Sequence, residues 1–424
     1  MLTNRPRGTN DILPGPARQW QILEKRIHQL CREYGYSEIR TPIFEHTVLF
    51  NRGVGEGTDV VEKEMYTFQD RGNTSLTLRP EGTAPIVRAY IENGLYSQPQ
   101  PVKLYYLGPM FRYDRPQAGR YRQFHQFGAE VLGTRDPLLD VELIVLANSF
   151  CRRAGLKSWE LHINSVGCPV CRGEHRRELE AFLNSRLAEL CEDCRRRARQ
   201  NPLRVLDCKV EKCQQVTAGA PTTTAYLCVE CEEHFDAVKR GLGEIPIKYQ
   251  VNERMVRGLD YYTRTAFELM VAGIGAQNSI GGGGRYDGLV EACGGPPTPG
   301  IGFAFGMERV LLALEQQQAG LEAAAGLEVF VGTLEPEART SALKLLIQLR
   351  NLGLAADMDY LGRSLKAQMK VAGKTGVPLV VIVGGDELSR GAVTVRDMER
   401  ARQEEVSLSL VGQYLLNRRG RVLE

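Results

Sequence analysis

No stretch of this 424-residue sequence is apolar for long enough to cross a bilayer; the longest such run, VPLVVIV at 377–383, has the length of a buried strand. The opening MLTNRPRGTNDILPG is polar, holds two prolines and lacks the apolar core of a secretory leader. A cytoplasmic setting with no membrane attachment is therefore expected. Neither sign of charge dominates, since 54 Lys and Arg face 51 Asp and Glu. An RNA partner would have to meet a local basic patch rather than the field of the whole molecule. Two common nucleotide signatures are also missing. No G-x-G-x-x-G opens a long helix with an acid about 20 residues further on, and no G-x-x-x-x-G-K-[ST] loop occurs. A site for a nucleotide would have to be built from arginines on an antiparallel sheet.

What is present suits a large soluble chain. Apolar residues make up 43% and charged residues 25%, enough for a sizeable core, and the length points to two or three domains. The 11 cysteines are unevenly placed. Eight lie between Cys168 and Cys231, as Cys168-x-x-Cys171, Cys191-x-x-Cys194, Cys208-x4-Cys213 and Cys228-x-x-Cys231. Without an export signal, disulfides are not expected. Two readings stay open: thiolates sharing structural tetrahedral zinc, or reduced thiols packed as small hydrophobes. Spacing alone does not say which pairs would share an ion. Cys191, Cys194, Cys208 and Cys213 are close in sequence and make one set; Cys168, Cys171, Cys228 and Cys231 would then clamp the two ends of the segment. No His or acid completes an open coordination set, so a catalytic metal is not indicated.

Along the chain, 17–36 has helical apolar spacing ended by Gly35, and SEIRTPIFEHTVLF reads as extended and broken by Pro42. SLTLRPEGTAPIVRAYIENG reads as a strand, a turn at Pro80–Gly82 and a helix capped by Thr83. Two strands flank the arginine-rich loop of GPMFRYDRPQAGRYRQFHQFGAEV, and DPLLDVELIVLANSFCRRAGL is an amphipathic helix. Residues 168–240 are rich in Cys, Glu and Arg and read as a helical insertion. It contains CRRRARQNPLR, either an exposed helix end or a phosphate-backbone contact. Strands resume at RTAFELMV, AQNSIGGGGRYDGL and GIGFAFG, the last running into a helix. QQQAGLEAAAG reads as a linker, and the alternating strands and helices beyond it as a separate α/β domain.

Four constellations invite chemistry. In the second strand of the basic hairpin, alternation puts Gln126, Gly128 and Glu130 on one face, with Gly128 leaving a gap, and Phe127, Ala129 and Val131 on the other. With Arg112 on the preceding strand, that polar face suits a ligand carrying both signs of charge; a solvated sheet face is the plain alternative. Arg309 opens a helix, where a cation opposes the helix dipole unless an anion binds there. Arg257 precedes Tyr261 and Tyr262 at a strand start, where adjacent side chains would face opposite ways. The four glycines of SIGGGGRYDGL would permit a tight turn and close approach of a ligand.

In combination these stretches resemble the class II aminoacyl-tRNA synthetases, and among them the bacterial histidyl-tRNA synthetases. YGYSEIRTPIFE is similar to the family's first motif, at a dimer interface, FRYDRPQAGRYRQFHQFGAEV to its second and GIGFAFGMERVLLAL to its third. RGLDYYTRTAFE and SIGGGGRYDGL resemble the stretches peculiar to the histidine branch. The eight-cysteine segment is not part of the general family pattern.

The resemblance implies an α+β catalytic domain on an antiparallel sheet (1–325) with the helical insertion (168–240) inside it. It further implies a C-terminal anticodon-binding α/β domain with a mixed sheet (327–424). The implied reaction activates L-histidine with ATP and Mg2+ and passes it to the 3′ end of histidine tRNA, in a homodimer. Glu81, Gly82 and Thr83 would hold the α-amino group, and Arg112 the ATP α-phosphate and the substrate carboxylate. Gln126 and Glu130 would complete the amino-acid floor, and Tyr261 and Tyr262 the imidazole pocket. Arg257 would stand at the α-phosphate beside the amino acid, Arg309 at the γ-phosphate and Arg120 at the nucleotide. Gln117 and Arg122 would meet the 5′ end of the tRNA. Two rivals remain: a non-catalytic synthetase-like regulatory subunit of histidine biosynthesis, which generally lacks the C-terminal domain, and a synthetase for another amino acid.

Overall fold

The computed structural model of the chain describes residues 3–55, 58–206, 208, 210–274, 278–320 and 326–418. They form two compact units, 1–321 and 322–424. The centre of the expected linker, 321–325, lies outside the described residues.

The first unit opens with α1 (Pro14–Glu33), whose Leu23, Ile27, Leu30 and Cys31 are buried along one face, and Gly35 follows with φ +76°. The chain continues through β1 (Ser37–Glu38), β2 (Phe44–His46), α2 (Thr47–Val54), β3 (Tyr66–Gln69), β4 (Ser75–Leu78) and α3 (Thr83–Glu92). The expected extended run through TVLF is thus corrected: those residues begin α2, because Phe50 and Val54 bury a helical face against Ala84. Next come β5 (Val102–Phe111), β6 (Gln123–Leu132), α4 (Pro137–Ala154) and β7 (Glu160–Ser165). Asp136 caps α4 by accepting from the Leu138 amide at 2.9 Å.

The cysteine-rich segment supplies α5 (Pro169–Asn184), α6 (Glu192–Gln200), α7 (Glu211–Val216) and α8 (Val229–Gly243). Its small core gathers Leu179, Leu183, Leu190 and Val205 around Cys194, Cys208 and Cys213. The returning helix α8 packs elsewhere. Its Phe235, Val238 and Leu242 join the main core with α4, and buried His234 lies 2.8 Å from Asp140. The unit closes with β8 (Gln250–Val251), β9 (Thr263–Met270), β10 (Ser279–Arg285), α9 (Leu289–Ala292), β11 (Gly300–Gly306) and α10 (Met307–Gln316).

Eight strands form one sheet in the order β1-β5-β6-β11-β10-β9-β7-β8, parallel at its two outer pairs and antiparallel elsewhere. Its faces divide the labour. On one, Phe127, Phe267, Phe303 and Phe305 pack with Phe150 of α4 in the main core. The other carries the polar residues described below.

The glycine run is a correction. Residues 281–284 make no turn; they lie in the middle of β10, paired with both β9 and β11. Two glycines serve each face. A Cβ at Gly281 or Gly283 would collide with Phe305 or with Phe303 and the Gly302 carbonyl. A Cβ at Gly282 would stand 2.9 Å from Arg257 Nη1 and 2.5 Å from the Phe267 carbonyl, and one at Gly284 would stand 3.0 Å from the Tyr262 ring.

The second unit runs β12 (Val329–Thr333), α11 (Arg339–Asn351), β13 (Ala356–Met358), α12 (Leu365–Thr375), β14 (Leu379–Val383), α13 (Gly385–Ser389), β15 (Ala392–Asp397), β16 (Arg402–Ser407) and α14 (Val411–Arg418). Its sheet, β13-β12-β14-β15-β16, is parallel over the first three strands and antiparallel beyond, a mixed sheet as expected. The run VPLVVIV supplies its central strand, all five residues of β14 being buried.

Candidate active site

The register across the sheet lines up Tyr106, Gly128, Ala304, Gly282 and Glu268 on one face. Small residues in the middle make a trough between a tyrosine on one bank and a carboxylate on the other. Gln126 and Glu130 lie on the same face as Gly128, as alternation requires. The gap over Gly128 is a correction: the Tyr106 ring lies over it, and Cβ atoms at Gly128 and Gly82 would both run into that ring.

Glu130 is fully buried, its side chain laid across Gly302. Thr83 Oγ1 donates to one of its oxygens at 2.7 Å and Tyr286 OH to the other at 2.6 Å. Burial pushes its pKa up to about 8 against those two bonds, with the nearby Glu81 adding to the rise. Glu81 is buried too, and burial raises its pKa although the amides of Thr83 and Ala84 donate to it, each at 2.8 Å. Thr83 is therefore not the helix cap. Gly82 stands at the cap position of α3, the Glu81 carboxylate satisfies the first amides, and the Thr83 hydroxyl turns to Glu130. Two buried carboxylates bridged by one threonine make a site for a group that donates hydrogen bonds and carries positive charge.

Arg112 follows β5 and donates through Nε to the Pro80 carbonyl at 2.8 Å, beside the Glu81 turn. Arg257 lies over Gly282, 3.2 Å from Glu268 Oε1, with its guanidinium 5.5 Å from the Tyr262 ring centre. Tyr261 and Tyr262 overturn the alternation argument. Both precede β9, their rings lie 4.7 Å apart, and Tyr261 also meets Tyr286 edge-on at 5.8 Å, so both belong to one wall. Among the described residues, three buried polar atoms along the trough have no protein partner, Tyr106 OH, Gln126 Oε1 and Arg257 Nε, and Asn164 Oδ1 is a fourth on the same face. Such atoms cost free energy unless something else bonds them.

At the other end of the trough Arg309, in the first turn of α10, bends back and donates to the Ser279 carbonyl at 2.6 Å. Its pKa is lowered by burial and by the charge of Arg120. Two guanidinium groups held within mutual influence favour an anion between them. Arg120 is steadied by Asp114 at 3.1 Å, and Gln117 by a backbone bridge to Arg120. Arg122 does not reach outward: its guanidinium stacks on Tyr113 at 3.8 Å and its backbone amide bonds the Gly8 carbonyl. Gln117 instead shares a groove with Arg5 and Arg7, two basic residues the sequence reading did not single out. It also missed Tyr106, Glu268 and Tyr286. Glu268 and Tyr286 sat in stretches quoted for their chemistry without being named, Tyr106 did not, and cross-strand partners carry no local signal.

The open face of the largely antiparallel sheet thus carries arginines at both ends and buried carboxylates between them, the arrangement expected from the resemblance to class II aminoacyl-tRNA synthetases. The model of the family described as histidyl-tRNA synthetase matches residues 8–310, and that of an anticodon binding domain matches 328–418. The chain is 60% identical to the histidine–tRNA ligase of Desulforamulus reducens over 408 residues, 96% of this chain and 97% of that one. It is 60% identical to that of Pelotomaculum thermopropionicum over 415 residues, 98% of each. Its fold superposes on the apo histidyl-tRNA synthetase of S. aureus with a TM-score of 0.83, at 40% identity, covering 98% of this chain and 100% of that one. The chain belongs to the histidyl-tRNA synthetase family.

Proposed function

We propose that this enzyme activates L-histidine with ATP, releasing pyrophosphate, and transfers histidine from the adenylate to the 3′ end of histidine tRNA. The observation that carries the assignment of the site is the trio of unpartnered buried polar atoms, on Tyr106, Gln126 and Arg257, along a trough ending at Arg309. The histidine α-ammonium and imidazole N–H are the donors that Glu81, Thr83, Gln126 and Glu130 receive. Tyr261 and Tyr262 close the ring pocket. The histidine carboxylate attacks the α-phosphorus in line, and negative charge grows on the α-phosphate oxygens. Arg112 and Arg257, fixed before the substrates arrive, stabilise that charge without reorganising. Arg309 and Arg120 hold the far phosphates. Positioning of this kind lowers the barrier without a general base.

Magnesium accompanies the nucleotide. Among the described residues no cluster of three carboxylates is preassembled for it, which suits an ion held mainly by phosphate and water. Gln117 and the neighbouring Arg5 and Arg7 offer a surface to the tRNA 5′ end, with Arg122 bracing the loop. The two four-cysteine groups of the insertion could each hold a structural zinc ion. Exposed Ile43 and Phe44 within the first-motif stretch, and Val48 just beyond it, support a homodimer contact. Among the described residues no helix is long and apolar enough to cross a membrane. The working place of the enzyme is the cytoplasm, where tRNA is charged.

The match to the anticodon binding domain speaks against the regulatory-subunit rival. ATP–pyrophosphate exchange with each amino acid decides both rivals: exchange is expected with histidine alone. No exchange with any amino acid would favour the regulatory subunit, and exchange with another one would reassign the pocket. Removing residues 327–424 should leave histidine-dependent exchange within about threefold while tRNA charging falls by roughly 10²-fold or more. Equal loss of both in a folded truncation would contradict that division.

A further inference from the structure

The eight cysteines of 168–231 gather into two separate sets that the reaction does not use. In each set the four sulfurs lie within 4.8 Å of one another, and all are free thiols. Cys168 Sγ stands 3.4 Å from Cys171 Sγ and 3.8 Å from Cys228 Sγ, and Cys171 Sγ stands 3.6 Å from Cys228 Sγ. A tetrahedral ion with sulfur bonds of about 2.3 Å separates its sulfurs by about 3.8 Å. Disulfide sulfurs would approach to about 2 Å. A multi-iron cluster would hold its thiolates further apart, because its own iron and sulfide atoms lie between them.

Backbone amides support the sulfurs as they do in metal knuckles. The amides of Cys168 and Cys228 donate to Cys171 Sγ at 3.3 and 3.4 Å, and that of Cys191 donates to Cys213 Sγ at 3.2 Å. The second set also lies at the heart of the lobe, since Cys194, Cys208 and Cys213 are part of its small core. A core that slight commonly needs a staple.

We propose that the two sets are structural zinc sites, and that the Cys168, Cys171, Cys228 and Cys231 site anchors the wall of the histidine pocket. The anchoring half rests on the functional reading above. This site stands where the chain leaves β7 and where it re-enters α8. Arg172, beside Cys171, donates to the carbonyls of Val166 at 3.1 Å and Asp260 at 3.5 Å. Glu230, between Cys228 and Cys231, pairs with Arg264 at 3.3 Å. Arg264 has φ +51°, unfavourable for an arginine, and its backbone is bonded on both sides to Val166 and Gly167. Val166 packs with Tyr262 in one apolar cluster. The segment from Arg257 to Arg264, which bears both pocket tyrosines, thus hangs on the metal site at both ends of its turn.

The second site stiffens a lobe that docks on the same segment. Arg204 and Arg197 pair with Asp59 at 3.0 and 3.5 Å, and Asn201 donates to Asp260 Oδ1 at 2.9 Å. The basic run, open to reading as an exposed helix end or a phosphate contact, therefore commits two of its arginines to Asp59.

The test is metal analysis of the full-length protein purified without chelator, followed by replacement with cobalt(II). Two equivalents of zinc per chain are expected, one for each set. Cobalt should show the intense sulfur-to-metal charge-transfer absorption of a tetrahedral tetrathiolate. Cys228→Ser should lose one equivalent and raise the histidine KM in pyrophosphate exchange roughly tenfold, with the ATP KM little changed. If Cys228→Ser does not fold, Arg172→Met reads the same link, keeping both ions while raising the histidine KM. Iron, disulfides, or clearly fewer than two equivalents in folded protein would overturn the zinc sites. Full zinc with an unmoved histidine KM in Arg172→Met would overturn the anchoring. Wild-type protein that holds two zinc ions but exchanges with no amino acid would defeat the functional reading and the anchoring together, and leave the metal assignment supported.

Discussion

Arg257→Ala should slow adenylate formation by about 10²- to 10³-fold in single-turnover measurements. The guanidinium lies over Gly282 with Glu268 and Tyr262 holding it, so it is oriented before ATP binds. Its buried Nε has no partner among the described residues, which leaves a donor for the phosphate oxygens in the proposed reaction. An interaction made mainly in the transition state should lower kcat much more than it changes the histidine KM. Arg257→Lys should recover little of the rate, because an ammonium can neither fork nor keep the Glu268 contact while reaching the phosphate. A normal single-turnover rate in the alanine variant would remove Arg257 from the chemistry and leave it as a prop for the tyrosine wall.

Glu130→Gln should raise the histidine KM by roughly 10²-fold while the ATP KM moves by less than about threefold. The same change should stabilise the free enzyme at alkaline pH. Glu130 has its pKa raised from 4.5 to about 8 by burial. Below 4.5 both the folded and unfolded chains hold the proton. As pH climbs from 4.5 toward 8 the unfolded chain releases it and the folded chain keeps it, so folding stability falls over that window. Glutamine has no charge to bury. The free variant should therefore melt several degrees above wild type at pH 8, a difference of order 1–3 kcal/mol that closes toward pH 5. Lost ATP affinity with intact histidine binding would put Glu130 on the other ligand. A wild-type melting curve at pH 8 would mean that the carboxylate is already ionised and paired in the free enzyme.

Much of the site was legible because strand alternation is a local rule. Gln126 and Glu130 fall on the polar face and Phe127 and Ala129 in the core, as a period of two demands. The cysteine pairs were legible because knuckle spacing is local chemistry, while the grouping of pairs into two sets is fixed by the fold. What failed was whatever depends on a neighbouring strand. The gap over Gly128 is filled by Tyr106, which sits opposite it only in the register of β5 against β6. The glycines 281–284 read as a turn because glycine is a poor strand former, and only Phe303, Phe305, Arg257 and Tyr262 crowding in from both sides explain them as a strand. Tyr261 and Tyr262 were treated as strand residues, whereas the turn before β9 sends both rings to one wall. Tyr286 could not be tied to Glu130 from sequence, since 156 positions separate them.

The glycine strand also bears on how the enzyme assembles. A stretch with four adjacent glycines offers no side chains to collapse around and loses the most backbone freedom on ordering, so it cannot seed structure. β9 and β11, which carry Phe267, Phe303 and Phe305, are expected to order first and receive β10 between them. Once inserted, its amides are hydrogen-bonded within an interior strand and should exchange with deuterium only through global opening. Refolding followed by pulsed exchange should accordingly find the phenylalanine layer protected before residues 281–284. A chain stalled at that stage would have a consolidated apolar layer and no ability to form the adenylate.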